Sequence, residues 1–425
     1  MINKPRTDYT KTLTYSICLI IALNIILKTV VRIWISNPIG DEGFYLSEIA
    51  IAKSIGLWKS FSSGTSHLYS TIGYLISLVM PNPLIGLRLF SILLSLAAFV
   101  IALSLIQRIT PNLIIRKLSA ITMAYMFFCS KTGGMFFVAI NDALLVTIAL
   151  VTVLFLLKYL QTKKYKELVL TALFSGLMFW VRSFALLVFG GIVLGVAVIP
   201  IMRDGISIWK SSIRTCIFIL ITVLVALLVQ IPSLIDNKAI SFENKSRDRD
   251  WAAWNWLAQK ERIPSGSIFL YSRPPYEVVQ RYLDEQGSSS IPRSLIEKMK
   301  ADPKYMVDSL VSNLFVRLPF VLLMSMGMFF FGLMSILREP DRWRFRLKPQ
   351  SLALLIIFLS VSIGVSLYII NYLEQRWLFI PAVMGMLLGA GRISELPEKS
   401  IDKLSKVQLL VLLLLTSVSL AQVII

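Results

Sequence analysis

Eleven stretches of mostly apolar residues recur along the chain, near 13–36, 85–106, 118–130, 136–157, 168–181, 184–201, 213–232, 310–337, 350–370, 377–391 and 407–425. A helix needs about 20 such residues to cross the hydrocarbon core of a bilayer. The pattern therefore predicts an all-α polytopic membrane protein of about eleven transmembrane helices. The polar segments between the runs are short, with two exceptions at 37–84 and 233–309. The expected organisation is an N-terminal transmembrane module, 1–232, carrying the first long loop; a loop domain of mixed character, 233–309; and a C-terminal group of helices, 310–425. The first run is too long for a signal-peptide core and lacks a small-residue cleavage site, so it reads as a retained span.

The formal charge of +19 would suit a nucleic-acid partner, but its distribution argues against one. Basic residues fill every alternate short loop: Arg108, Arg116 and Lys117; Lys158, Lys163, Lys164 and Lys166; Arg203, Lys210 and Arg214; Arg338, Arg342, Arg344, Arg346 and Lys348; and Arg392, Lys399, Lys403 and Lys406. Together with Lys4, Arg6 and Lys11 at the N-terminus they obey the positive-inside rule. The surplus is a topology signal: a multi-pass protein of the cell (inner) membrane, N-terminus cytoplasmic and both long loops extracytoplasmic. Cys18, Cys129 and Cys216 fall in apolar runs with no metal or disulfide spacing and read as small buried hydrophobes. Lys28 and Arg32 lie near enough to the end of the first run to snorkel.

Function is then expected on the extracytoplasmic face, and the first long loop opens with NPIGDEGFYLSE. Its amphipathic pieces are expected along the interface, with Phe44, Tyr45, Leu46, Ile49 and Ile51 toward lipid and Glu48 and Lys53 toward water. Asp41 would stand at the start of the first such helix, where an acid is favoured. At the same level the topology gathers Glu42, His67, Arg88, Lys131, Asp142, Arg182, Glu374 and Arg376, with Tyr69 close by. Each has a plain structural alternative. Arg88 can snorkel, Asn141 or Asp142 can cap a helix, Glu374 and Arg376 can pair with each other, and His67 can make one polar hydrogen bond. Trp251, Trp254 and Trp256 in the second loop suit an interfacial belt better than a sugar-stacking platform.

One carboxylate pair and several cations at a membrane edge suit sugar transfer from a polyprenyl phosphate. That reaction needs a base for the acceptor hydroxyl and cations for the departing phosphate. Asp41 fits the base; Arg182, Arg376, Lys131 and Arg88 are phosphate candidates.

Four stretches, GDEGFYLSEIA, GLRLFSILLSL, AINDALLVTIAL and EQRWLFIPAV, appear in an order and spacing that resembles the GT-C superfamily of polyprenyl-phosphate-sugar-dependent glycosyltransferases. The likeness is to the group with the protein O-mannosyltransferases and the lipid A aminoarabinose transferase. It implies an inverting transferase with Asp41 at the base position, Glu42 assisting or holding a divalent cation, and Arg376 and Arg182 meeting the lipid phosphate. The partners it implies are a polyprenyl-phosphate-linked sugar donor, an acceptor on a lipid, glycan or protein, and membrane lipids. The chain departs from many relatives at SHLYSTIGYL, where they carry a proline pair; His67 and Tyr69 are assigned there only as cavity-lining residues. Other classes sharing these features are a polymerase or ligase using a lipid-diphosphate oligosaccharide, a flippase or transporter, and a non-catalytic scaffold.

Overall fold

A computed structural model describes residues 9–242, 250–261, 274–338, 347–368 and 374–424. The expected basic groups Lys4, Arg6, Arg342, Arg344 and Arg346, and Arg273 of the RPPY turn, lie outside the described residues. Those described are helical, with no strand among them. Helices α1 (Tyr9–Trp34), α2 (Glu42–Ile55), α3 (His67–Val79), α4 (Pro83–Ile109), α5 (Leu113–Phe128), α6 (Asp142–Thr162), α7 (Tyr165–Phe179), α8 (Ala185–Asp204) and α9 (Ile208–Leu228) form the N-terminal part. Small helices of the second loop follow, among them α10 (Trp251–Glu261) and α11 (Tyr276–Gln286). The C-terminal part holds α12 (Pro303–Met326), α13 (Phe329–Leu337), α14 (Pro349–Tyr368), α15 (Phe379–Ile393) and α16 (Glu398–Ile424).

Nine described helices, α1, α4, α6, α8, α9, α12, α14, α15 with its preceding turn, and α16, are long and apolar enough to cross a membrane. The chain is therefore an all-α, multi-pass membrane protein. Two more expected spans coincide with α5 and α7, of 16 and 15 residues. At 1.5 Å per residue these reach about 24 and 22 Å, short of a 30 Å core. The expected span at 310–337 is broken at Gly327, whose φ of +57° combined with ψ of −128° needs a residue without a Cβ. Gln408 of α16 satisfies the opened backbone: its Oε1 accepts from Met328 N at 2.6 Å, and its Nε2 donates to Met326 O at 3.2 Å. Such repair is what an interrupted helix needs where water is absent.

Helices α6 and α15 are enclosed by the others, whereas α1 and α9 expose most of their length. α14 lies along α8 and α15, α7 sits between α6 and α9, and α1 runs beside α16. Lys28 does not snorkel: its Nζ donates to Phe128 O at 2.9 Å, beside the Cys129 carbonyl that accepts from Ser419 at 2.8 Å. Helices α1 and α16 thus cap the last carbonyls of α5. Cys129 is buried as expected, but Cys18 and Cys216 are exposed on the outside of the bundle. Lipid-facing positions of a span must be apolar, not enclosed.

The first loop folds inward. α2 buries Glu42, Tyr45, Glu48, Ile49 and Ala52 against α3 and α4. Glu48 was expected in water; it is fully buried, accepting from Ser66 N at 2.9 Å and Ser70 Oγ at 2.6 Å. Trp254 and Trp256 pack on a small core of Ala253, Leu257, Val279 and Ile291, so they hold the second loop together. Trp254 Nε1 donates to Pro274 O at 2.6 Å.

Candidate functional site

Asp41 and Glu42 leave the turn at Gly40 (φ +57°) in different directions. Glu42 points inward, fully buried, onto an equally buried Arg88 from the second turn of α4. Arg88 Nε reaches Oε1 at 2.9 Å and Nη2 reaches Oε2 at 2.5 Å. The remaining donors of the guanidinium go to the Arg32, Ile35 and Asn37 carbonyls at the end of α1. Glu42 also accepts from Ile39 N at 2.8 Å and Ala139 N at 2.7 Å. Burial alone would push this carboxyl up; the Arg88 hydrogen bonds and the two backbone donors outweigh it and hold it below its ordinary range. All five N–H donors of Arg88 are used.

This arrangement corrects two expectations. Arg88 neither snorkels nor has a donor left for a phosphate, and Glu42 has no open side for catalysis or a cation. Among the described residues no three His, Cys, Asp or Glu side chains come together to hold a metal. A divalent cation at Glu42 would also have to displace Arg88.

Asp41 faces the other way. Its position is the N-cap of α2, yet its side chain makes no cap bond. Asp41 Oδ2 instead accepts from Arg376 Nη2 at 3.0 Å. Arg376 stands on the 3₁₀ turn Gln375–Leu378 ahead of α15 and serves two further carboxylates: Nη1 reaches Asp142 Oδ2 at 3.2 Å and Nε pairs with Glu374. Arg182, in the turn between α7 and α8, donates to Asp142 Oδ1 at 2.7 Å. Five predicted residues from four distant parts of the chain therefore meet in one ionic cluster. Three carboxylates against two guanidiniums leave it formally with one excess negative charge.

The capping alternative for Asn141 and Asp142 is not what holds them. Asn141 makes no side-chain cap bond; its Nδ2 donates to Ser66 Oγ at 3.2 Å and Val181 O at 3.1 Å. Ser66 Oγ also donates to Val181 O at 2.8 Å. Through Ser66 the buried Glu48 thus braces the turn that presents Arg182. Sequence reasoning missed Glu48. Its only signal was that it shares a helical face with Glu42, Tyr45 and Ile49.

A cavity of about 980 Å³ opens beside the cluster. Asp41, Lys131, Glu374 and Arg376 line its polar end, with hydroxyls from Ser130, Thr132 and Ser325. Lys131 is exposed and has no side-chain partner among the described residues. Asp142 and Arg182 stand behind this wall, so Arg182 supports Asp142 where it was expected to meet phosphate. His67 and Tyr69 were expected to line the cavity; both are buried elsewhere, 1% exposed, against Phe61 and Tyr45 respectively. Burial lowers the His67 imidazole to about 4, only partly offset by its hydrogen bond to the Phe61 backbone.

The other wall is apolar: Phe320, Val321 and Met324 of α12 face Leu415 and Val418 of α16. Both helices rest on α5, whose Tyr125 hydroxyl donates to Met324 O at 3.1 Å, and the two touch where Gln408 meets Met326. From there toward the Asp41 end they make no extended contact with each other. Phe320, Met324 and Val418 are exposed side chains that line this cavity. The apolar wall of the cavity between α12 and α16 is therefore partly exposed.

Fold and site together define a multi-pass, all-helical membrane protein with a cavity that is charged at one end and apolar on its other wall. No protein-family model matches the chain, and no curated protein matches it.

Proposed function

We propose that the chain is an integral-membrane glycosyltransferase of the GT-C type, moving a sugar from a polyprenyl-phosphate donor to an acceptor hydroxyl on the extracytoplasmic face of the cell membrane. One observation carries this reading: a single cavity holds Asp41, Lys131 and Arg376 at its polar end and apolar, partly exposed side chains of α12 and α16 on its other wall. A donor with a long apolar tail and a charged head has the same two-part character. The supply of cations also suits a phosphodiester with one negative charge. Lys131 has no side-chain partner among the described residues and Arg376 is shared among carboxylates, which is little for a diphosphate.

In this mechanism the lipid tail lies against the apolar wall and the phosphate meets Lys131 and Arg376. Asp41 takes the proton of the acceptor hydroxyl as its oxygen bonds to the anomeric carbon. The bond from that carbon to the phosphate oxygen breaks, and its electron pair leaves with the lipid phosphate, stabilised by the two cations. A single displacement of this kind inverts the anomeric centre. Asp142 and Arg182 hold Arg376 in place, and no step needs a metal ion.

The test is mass spectrometry of envelope glycolipids and glycans from a strain lacking the gene. One sugar modification should vanish and return with the wild-type gene but not with Asp41→Asn. Identical glycan profiles with and without the gene would sink the transferase reading. Full restoration by Asp41→Asn would remove Asp41 as base.

A further inference from the structure

The proposed donor needs Arg376, yet in the ligand-free protein that guanidinium already serves Asp41, Asp142 and Glu374. The three carboxylates are not equally anchored. Asp142 is shared with Arg182 at 2.7 Å and sits at the first turn of α6, 6% exposed. Asp41 is fixed by the N-terminus of α2, whose next residue is locked to Arg88. Glu374 has Arg376 as its one side-chain partner among the described residues. It precedes the 3₁₀ turn without capping it, and its side chain lines the cavity. Of the three it has the least to lose by moving, and it occupies Nε of Arg376 on the cavity side.

We propose that Glu374 is an internal stand-in for the donor's phosphate: its carboxylate holds the phosphate position on Arg376 until a lipid phosphate displaces it. The proposal rests on the reading that this cavity binds a lipid phosphate, and it adds a specificity device to it. A carboxylate and a phosphate oxygen pair offer a guanidinium the same acceptor geometry, so one can replace the other. Counted with Lys131 the polar end is formally neutral, so an anion gains a place by taking over the Arg376 contact, helped by Lys131. Displacement also redistributes the guanidinium among fewer protein carboxylates. The carboxylate itself ends in open cavity, where water solvates it.

The test uses the full chain in nanodiscs and dodecyl phosphate as the probe, with binding measured by calorimetry. Glu374→Gln, which keeps shape and removes the competing charge, should tighten binding roughly three- to tenfold, as expected when a site occupied most of the time is vacated. Glu374→Ala should tighten it as well, so the result does not depend on one variant folding. The gain should persist in about 0.5 M NaCl, where repulsion between separated charges is screened within a few ångströms. Wild-type affinity in both variants, or a gain abolished by salt, would overturn the stand-in while leaving the phosphate reading intact. A wild-type protein that binds no dodecyl phosphate, with variants that bind none either, would overturn that reading and this inference with it.

Discussion

Two arginine–carboxylate assemblies lie on either side of a single peptide bond. Glu42 and Arg88 are both fully buried, each donor of the guanidinium is matched, and the pair ties α2 to α4 and to the end of α1. Asp41 and Arg376 are 27% and 19% exposed, the guanidinium is divided among three carboxylates, and a cavity stands beside it. Identical chemical groups thus make a clasp in one place and an exchangeable site in the other. Satisfaction decides between them. A saturated arginine can only be broken, whereas a shared one at a cavity wall can trade partners.

The largest expected effect breaks the clasp. Arg88→Ala leaves a buried carboxylate without its cation, a loss of about 3–5 kcal/mol in comparable settings. The folded yield in detergent should collapse, and a wild-type melting temperature would show the clasp to be dispensable. Acid separates the clasp from the buried His67 imidazole. His67 is held near 4 in the folded chain against 6.5 unfolded, so between those values the unfolded chain binds more protons. Its contribution, roughly 3 kcal/mol for a shift of that size, is complete above about pH 6.5 and lost as pH falls toward 4. Glu42, held below its usual 4.5, keeps its contribution until pH falls beneath that value. Melting curves of His67→Gln should therefore be flat between pH 6.5 and 5, where the wild type declines; a decline equal to the wild type's would refute the assignment.

At the shared site the order of effects reverses. Arg376→Ala should weaken dodecyl phosphate binding at least tenfold, about 1.4 kcal/mol, while lowering the melting temperature less than Arg88→Ala does. Equal affinity would remove Arg376 from the phosphate site. Lys131→Ala should leave stability within about 0.5 kcal/mol, because an exposed side chain without a partner among the described residues contributes little. Its affinity loss should be a few-fold and shrink with added salt; a stability loss as large as Arg88's would reveal an unseen structural role.

Much of this architecture was legible in the chain. The apolar runs located the nine described helices long enough to span but counted two shorter ones as spans as well, and the convergence of Asp41, Asp142, Arg182, Glu374 and Arg376 followed from placing alternate loops on one side. What stayed hidden was direction. Asp41 and Glu42 have neighbouring positions and the same chemistry, and only the turn at Gly40 sends one to the cavity and the other to Arg88. The roles of Arg88 and Glu48 were missed for the same reason. Span-end charges were read against water and lipid, but α2 packs on α3 and α4, so its acidic face meets protein. The break at Gly327 was invisible because the run continues on both sides of it, and its repair comes from Gln408, 81 positions later.

The apolar cavity wall between α12 and α16 changes the unit in which a substrate would be counted. A lipid-linked donor, as proposed, would reach that wall by diffusion within a sheet, so occupancy would follow its number per area of membrane, not its molarity in the buffer. Diluting a fixed amount of lipid-linked donor with inert lipid or detergent should then slow the protein even at constant volume. Diluting the whole suspension with buffer should leave the rate per molecule nearly untouched.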